Sequence, residues 1–280
     1  MIPANFDYHR PQSLDEAMRI LSGSDDAKIL AGGHSLIPAM KLRLARPQAV
    51  IDLGRVPELN QIRPDGTQLR IGAMATHQDI ADSELLNSKC PLLPEVAAVI
   101  GDAQVRNRGT IGGSIVHADP AADWPAAIVA LDAEMDVVGP NGRRTVPASE
   151  FFVEMMQSAL QPNEILTGIR VRATGSSVAY VKFAQKASGF AIVGVAVIID
   201  AAQRSVRIGI TGAATKAFRA AAAEEVLQGQ TLSPEKINQA VEKADEGVET
   251  LNDIHASAEY RAHLIRVNTR RAIELALSRT

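Results

Sequence analysis

Cysteine is nearly absent from this sequence: Cys90 stands alone. A lone thiol cannot close a disulfide within the chain, and it cannot supply the four thiolates of a zinc or iron–sulfur site. Any iron–sulfur chemistry therefore belongs to a partner. Aromatic residues are only 4% of the total, too few for a base-stacking platform. The 29 basic and 32 acidic residues leave a formal net charge of −3, so no polyanion-binding surface is implied. A nucleic-acid role is thereby excluded. No apolar run is long enough to span a bilayer. The opening Met1–Arg10 lacks a charged stretch followed by an apolar core, so no secretory leader and a cytoplasmic location are expected. The strand–GxGxxG–helix, GxxxxGK[ST], HExxH and GxSxG signatures are also missing. Rossmann, P-loop, zinc-protease and serine-hydrolase chemistry lose their main markers.

What remains is an ordinary globular composition, 46% hydrophobic and 22% charged, over a length that suits two modest domains. Ser13-Leu-Asp-Glu16 reads as a capping box, with Leu14, Ala17, Met18 and Leu21 on one helical face. Lys28–Leu30 reads as a short buried strand running into Gly32-Gly33, and Ser35–Leu44 has helical spacing. Ala49–Leu53 is a second strand, so residues 1–55 form a small α/β unit with crossover connections. Residues 56–174 read as strand-rich: Leu69–Met74 follows a Pro64-Asp65-Gly66 turn, and Asn141-Gly142 marks a hairpin between Met135–Val138 and Arg144–Val146. One helix, about Leu92–Ile100, interrupts them. From residue 175 to 280, Val178–Ala184, Ile192–Ile199 and Val206–Ile210 give a three-stranded antiparallel meander. Helices follow over Thr215–Gln228, from Ser233-Pro234-Glu235, and from Ser257.

Two glycine-rich turns carry the chemistry. Leu30-Ala-Gly-Gly-His-Ser35 runs from a strand to a helix start, and adjacent glycines let successive backbone N–H groups converge without Cβ interference. Such a concave nest suits a pyrophosphate without any nearby lysine or arginine. Arg106-Asn-Arg-Gly-Thr-Ile-Gly-Gly-Ser-Ile115 offers a second loop with hydroxyls on either side of a glycine pair, and a Cβ at Gly113 would enter the pyrophosphate's space. Each loop alone also fits a plain turn. Two in one chain fit a dinucleotide gripped from two sides. His34 reads as a shaping residue of the first loop, and His77 as a helix-start or packing residue. No catalytic acid or base and no metal ligand is nominated.

At these loops the sequence resembles the FAD-binding medium subunit of the xanthine dehydrogenase and carbon monoxide dehydrogenase family of molybdenum hydroxylases. The matching stretches are Ala31–Ser35, Arg106–Ser114 and His117–Asp123, then Glu164–Leu166, Val181–Phe183, Ile192–Val195 and Ser257–Tyr260. The resemblance implies an α+β fold: a two-part FAD-binding domain of the vanillyl-alcohol-oxidase (PCMH) type over 1–174, then a small sheet-plus-helices domain. It implies FAD in this chain, with [2Fe–2S] clusters in a small partner subunit and a molybdenum–pterin cofactor in a large one, assembled as a dimer of heterotrimers. Electrons would pass from molybdenum through the clusters to the flavin and out to an external acceptor. By position, Ile29, Leu30, Ala31, Gly32, Gly33, His34, Ser35 and Leu36 would wrap the pyrophosphate and adenosine side. Thr110, Gly113 and Ser114 would form the second grip, and Asp123 would bond the ribityl or ribose hydroxyls. Ile165 and Leu166 would pack on a ring, and Lys182 would reach the polar edge. On periodicity alone, Ile165 and Leu166 equally fit an ordinary core, and Lys182 a solvated strand lysine. The chain departs from the family pattern at Ser114, where some relatives have asparagine, at Trp124, where leucine is common, and at Gly189-Phe190, where many have an acidic residue and tyrosine. A self-contained flavin enzyme and a scaffold whose glycine loops are only turns are the rival readings.

Overall fold

Local chemistry starts each element of the computed structural model, which describes residues 1–279. The first helix, Leu14–Ser22, begins at Ser13, whose hydroxyl accepts the Glu16 N–H at 3.2 Å, while Glu16 accepts the Gln12 N–H at 2.9 Å. Its Leu14, Ala17 and Leu21 pack with Ile51, Leu53, Val56 and Leu59. Beneath it lies a three-stranded sheet in the order Asp7–His9, Ala49–Asp52, Ala27–Leu30, and both pairings are parallel. The crossover α/β unit is thus present. The strand Ala27–Leu30 is half-exposed rather than buried, because it is an edge of that sheet.

A five-stranded antiparallel sheet follows, in the order Ile62–Asp65, Gln68–Gly72, Ile165–Arg172, Glu134–Gly139, Gly142–Pro147. The predicted hairpin is there, with Gly139 paired to Gly142 and Gly142 at φ +100°. Between residues 77 and 130 the strand-rich expectation fails. Six short helices fill that stretch: His77–Ala81, Glu84–Lys89, Leu92–Ala98, Ala103–Arg106, Ile111–His117 and Trp124–Ala130. Four start at a side-chain cap, from Thr76, Ser83, Asp102 and Thr110.

The last part carries strands Val178–Ala184, Ala191–Asp200, Ser205–Thr211 and the two-residue Phe218–Arg219. The sheet is therefore four-stranded, because residues expected to begin a helix at Thr215 instead add a short edge strand before the helix Ala221–Leu227. Helices Ala221–Leu227, Pro234–Val241 and Ala258–Leu277 cover one of its faces, burying Val193, Val195, Val197, Ile208 and Ile210. The opposite face contributes Val178, Tyr180, Ala196 and Ile198 to a core shared with Trp124, Ile128, Ile71 and Ile169. The short helices are thus held between two sheets, and the segment 118–124 crosses from one to the other.

Candidate functional site

The two glycine turns touch. A Cβ on Gly32 would overlap the Arg108 carbonyl oxygen and lie 2.8 Å from Gly109 Cα, so only glycine permits this approach. One on Gly113 would sit 3.3 Å from Ala31 Cβ and 2.8 Å from Thr110 Oγ1. A side chain at Gly113 would thus press first on Thr110 and Ala31 of the chain itself. A cavity of about 230 Å³ opens at the junction, lined by Ala31 and Gly32 from one turn and by Asn107, Arg108 and Thr110 from the other.

The turns differ in what they offer. In the first, Gly33 takes φ +80°, and the helix Leu36–Lys41 begins only at Leu36. Among the described residues, no acceptor meets the backbone N–H groups of Gly32, Gly33, His34, Ser35 and Leu36. Five successive unpaired amides form the kind of nest that takes the oxygens of a phosphate. In the second turn the amides are spent. Ile111 N–H donates to Ala75 O at 3.0 Å, Gly112 N–H to Ala73 O at 2.9 Å, Gly113 N–H to Thr110 Oγ1 at 3.1 Å and Ser114 N–H to Thr110 O at 3.1 Å. Gly112-Gly113 lies inside the helix Ile111–His117, with Thr110 as its cap, rather than in a loop. What this turn can extend outward is the Ser114 hydroxyl, which has no partner among the described residues, and the remaining capacity of the Thr110 hydroxyl.

Ile29 and Leu30 are the half-buried end of the strand that feeds the first turn, and Ile29 packs on the core that holds Ile165. Ile165 and Leu166 begin the central strand of the five-stranded sheet and are 2% and 4% exposed. Ile165 shares its cluster with Leu53 and Val56, which line the cavity, whereas Leu166 faces the other core. The ordinary-core reading thus accounts for both side chains.

Asp123 and Lys182 form a second centre. The Lys182 ammonium lies 3.0 Å from Asp123 Oδ1 and 3.2 Å from Oδ2, and it also donates to Val99 O at 2.8 Å and Gly189 O at 2.9 Å. Tyr180 donates to Asp123 Oδ1 at 2.7 Å. Burial pushes the Asp123 carboxyl above its ordinary value, against the pull of Lys182 and Tyr180. Burial and then Asp123 push the Tyr180 phenol well above its own, so it stays a neutral donor. Lys182 is not a solvated strand lysine. Each of its three hydrogens already has an acceptor, so a contact with a cofactor would replace one of the two carbonyls.

Tyr180 was not legible from spacing, and neither was the approach to Asp123. Thr211 Oγ1 donates to Pro120 O at 2.7 Å or Ala122 O at 2.9 Å, Gly212 N–H donates to Pro120 O at 2.6 Å, and Ala191 N–H to Ala121 O at 3.0 Å. The segment leading to Asp123 is therefore clipped onto the second sheet. Buried Arg261 holds the same strand ends, donating at 2.7 Å to the Ile192 and Gly212 carbonyls. Its place just after Ser257–Tyr260, where the resemblance had matched, was the one available hint.

With this geometry in place, the comparisons are specific. Residues 4–172 match the family described as the FAD binding domain in molybdopterin dehydrogenase, and residues 178–276 the CO dehydrogenase flavoprotein C-terminal domain. The chain belongs to this family of molybdenum-hydroxylase flavoprotein subunits, oxidoreductase components with FAD as cofactor. It is 41% identical to the carbon monoxide dehydrogenase medium chain of Hydrogenophaga pseudoflava, covering 100% of this chain and 99% of that one. It is 38% identical to the nicotine 6-hydroxylase medium subunit of Paenarthrobacter nicotinovorans, covering 98% of each. A solved carbon monoxide dehydrogenase from Hydrogenophaga pseudoflava, lacking the Mo-pyranopterin moiety, superposes with a TM-score of 0.95 at 42% identity, over 100% of this chain and 99% of that one. Among the described residues, no cluster of histidine, cysteine, aspartate or glutamate could hold a metal ion, and no helix is long and apolar enough to cross a membrane.

Proposed function

We propose that this chain is the electron-transfer subunit that holds FAD for a cytoplasmic, heterotrimeric molybdenum hydroxylase. In this reading it receives electrons from the [2Fe–2S] clusters of a small subunit, while a large subunit holds molybdenum–pterin and the organic substrate. Two such heterotrimers would pair. The observation that carries the reading is the row of five unpaired amides, Gly32 to Leu36, whose first member, Gly32, lines the cavity at the junction of the two turns. Such a row of donors at a helix start is open to water or to an anion, and Gly32 sets it against the second turn.

The residues present fit the cofactor. The amides of Gly32–Leu36 hold the pyrophosphate, approached by Ile29, Leu30 and Ala31 at the strand end. Thr110 and Ser114 supply hydroxyls from the facing helix, and Gly113 allows the close packing that sets their position. Asp123 and Lys182 hold each other in place at the far end, where Asp123 accepts from sugar-chain hydroxyls and Lys182 offers a cation. Ile165 belongs to the packed floor behind the cavity, and Leu166 holds the same strand from the other core. When bound, FAD supplies a two-electron store. The chain's own task is to bind it, orient it and limit water around it. We place the division between a PCMH-type FAD-binding domain and the sheet-plus-helices domain at residues 174–175.

The test is the visible spectrum of the purified chain, followed by copurification from cells expressing its partners. A yellow protein that travels with an iron–sulfur and a molybdenum subunit is the expected result. A colourless chain that refuses added FAD would overturn the proposal. Reduction of the isolated chain by a small organic donor would instead make it a self-contained flavin enzyme.

A further inference from the structure

Trp124 lies next to Asp123 in sequence but reaches in the other direction. Its indole N–H donates to Nδ1 of buried His77 at 3.2 Å, with the ring centroids 5.8 Å apart. A donor aimed at Nδ1 leaves that nitrogen as an acceptor only, so the neutral ring carries its proton on Nε2. Nε2 and Cδ2 lie directly beneath Gly109: a Cβ there would come within 2.7 Å and 2.9 Å of them. The main chain runs the same way, since His77 N–H donates to Gly109 O at 2.9 Å and Thr76 bridges to Thr110. Gly109 in turn abuts Gly32, and Thr110 caps Gly113. An unbroken line of contacts thus runs from Trp124 through His77 and Gly109 to the amide nest.

We propose that the Trp124–His77 pair is a positioning device for the cofactor site: a neutral imidazole, pinned by the indole N–H, sets the height of the Gly109 turn and so fixes the nest against the facing helix. This rests on the FAD reading above. Neither ring touches the nest amides, so both act through Gly109. The pair also joins the two ends of the site, because the residue before Trp124 is the Asp123 that holds Lys182. Protonation opposes the arrangement on two counts. It would set an N–H on Nδ1 against the indole N–H, and it would place a cation among groups that already disfavour one. Burial first, then His34 and Arg106, hold the His77 ring down to about 4. On its own helix the facing polar groups are Gln78 and Asp79. Gln78 accepts from Arg106 and donates to Asp82, and Asp79 accepts the Thr76 N–H, so no carboxylate compensates a charged ring.

The experiment is FAD binding to the full chain, followed by flavin fluorescence, for Trp124→Phe, His77→Phe and the double variant. Phenylalanine keeps a ring at each place while removing the donor or the acceptor. Each single variant should bind FAD roughly five- to tenfold more weakly at neutral pH, the loss of one buried hydrogen bond. The double variant should bind no more weakly than the worse single, because both remove the same bond. Trp124→Phe should also acquire a fall in affinity as pH drops from about 7 to 5 that the parent lacks, since the indole N–H no longer adds to burial, His34 and Arg106 in opposing a proton on Nδ1. Urea unfolding of each variant without FAD separates a lost fold from a lost site. Unchanged affinity in both singles, additive losses in the double variant, or a flat pH profile in Trp124→Phe would each overturn the proposal. A parent chain that takes up no FAD would overturn the underlying reading instead.

Discussion

Replacing Lys182 with methionine keeps the length and burial of the stem and removes only the ammonium. Three acceptors lose their donor at once: the Asp123 carboxylate and the Val99 and Gly189 carbonyls. The two charged side chains are 9% and 6% exposed, so water cannot take over. Breaking a pair this buried costs about 3–5 kcal/mol. Tyr180 still donates to Asp123, and the carboxyl can take up a proton, which places the expected loss near the lower end, about 3 kcal/mol. The proton makes the loss depend on pH. Asp123 already lies above its ordinary value because of burial, and Lys182 is the strongest influence pulling it down, so removing the lysine lifts it further. A carboxyl raised in the folded state costs stability as pH climbs from its unfolded value through its folded one. The deficit of Lys182→Met should therefore widen from about pH 5 to pH 8. Urea unfolding followed by circular dichroism, on the chain without added FAD, measures it at both pH values. A loss below about 1 kcal/mol at the higher pH, or a deficit that grows as pH falls, would refute the reasoning.

His77 gives the opposite pH trend. Held down to about 4 in the fold against 6.5 in a free chain, it binds fewer protons folded than unfolded, so stability falls as pH drops through that window. At about 1.4 kcal/mol for each tenfold change the full window is worth about 3 kcal/mol, and His77→Asn should flatten that part of the pH–stability curve in urea melts. Gly32→Val forces a side chain into the Arg108 carbonyl, so it should part the two turns, cost about 1–3 kcal/mol, and strip FAD on gel filtration while the chain stays folded. Retained flavin absorbance in Gly32→Val would count against the junction as the binding place.

Much of this fold was legible in the sequence wherever a signal was long or chemically marked. The helix start at Ser13, the crossover strands at 28–30 and 49–53, the Asn141-Gly142 hairpin and the meander from residue 178 all lie where the pattern put them, although Glu16 closes on the Gln12 N–H rather than completing a capping box with Ser13. Apart from the helix read over Leu92–Ile100 and found at Leu92–Ala98, the stretch 77–130 was not legible, for a physical reason. Its helices are four to seven residues long, too short for a 3.6-residue period to accumulate, and all but Ala103–Arg106 bury residues in the core. Their signal was in the caps instead: Thr76 with Asp79, and Thr110 three residues before Gly113. The edge strand Phe218–Arg219 was hidden by the alanine-rich run that follows it, whose helix propensity reads as one continuous helix. At the site, residue identity and chain order located both turns and the Asp123–Lys182 centre. Spacing could not show that Lys182 is saturated, or that Tyr180 and Trp124 flank Asp123 from two sides, because those contacts join residues about fifty positions apart.

The two glycine pairs, alike in sequence, are bought by different constraints. Gly33 needs its left-handed backbone, and with Gly32 it begins a run of five unpaired amides, so in the proposed reading the first pair serves a ligand. Gly112 and Gly113 are helical, with the amides from Ile111 to Ser114 satisfied inside the chain. A Cβ on Gly112 would press within 2.6 Å of Ala73 Cβ, and one on Gly113 would press on Thr110 and Ala31. The second pair therefore serves packing: it lets the helix Ile111–His117 come close against Ala73 and Ala31. A site built this way has one side that donates and one side that aligns. Substitutions in the first turn should then lower affinity directly, whereas those in the second should do so only as far as they move the first.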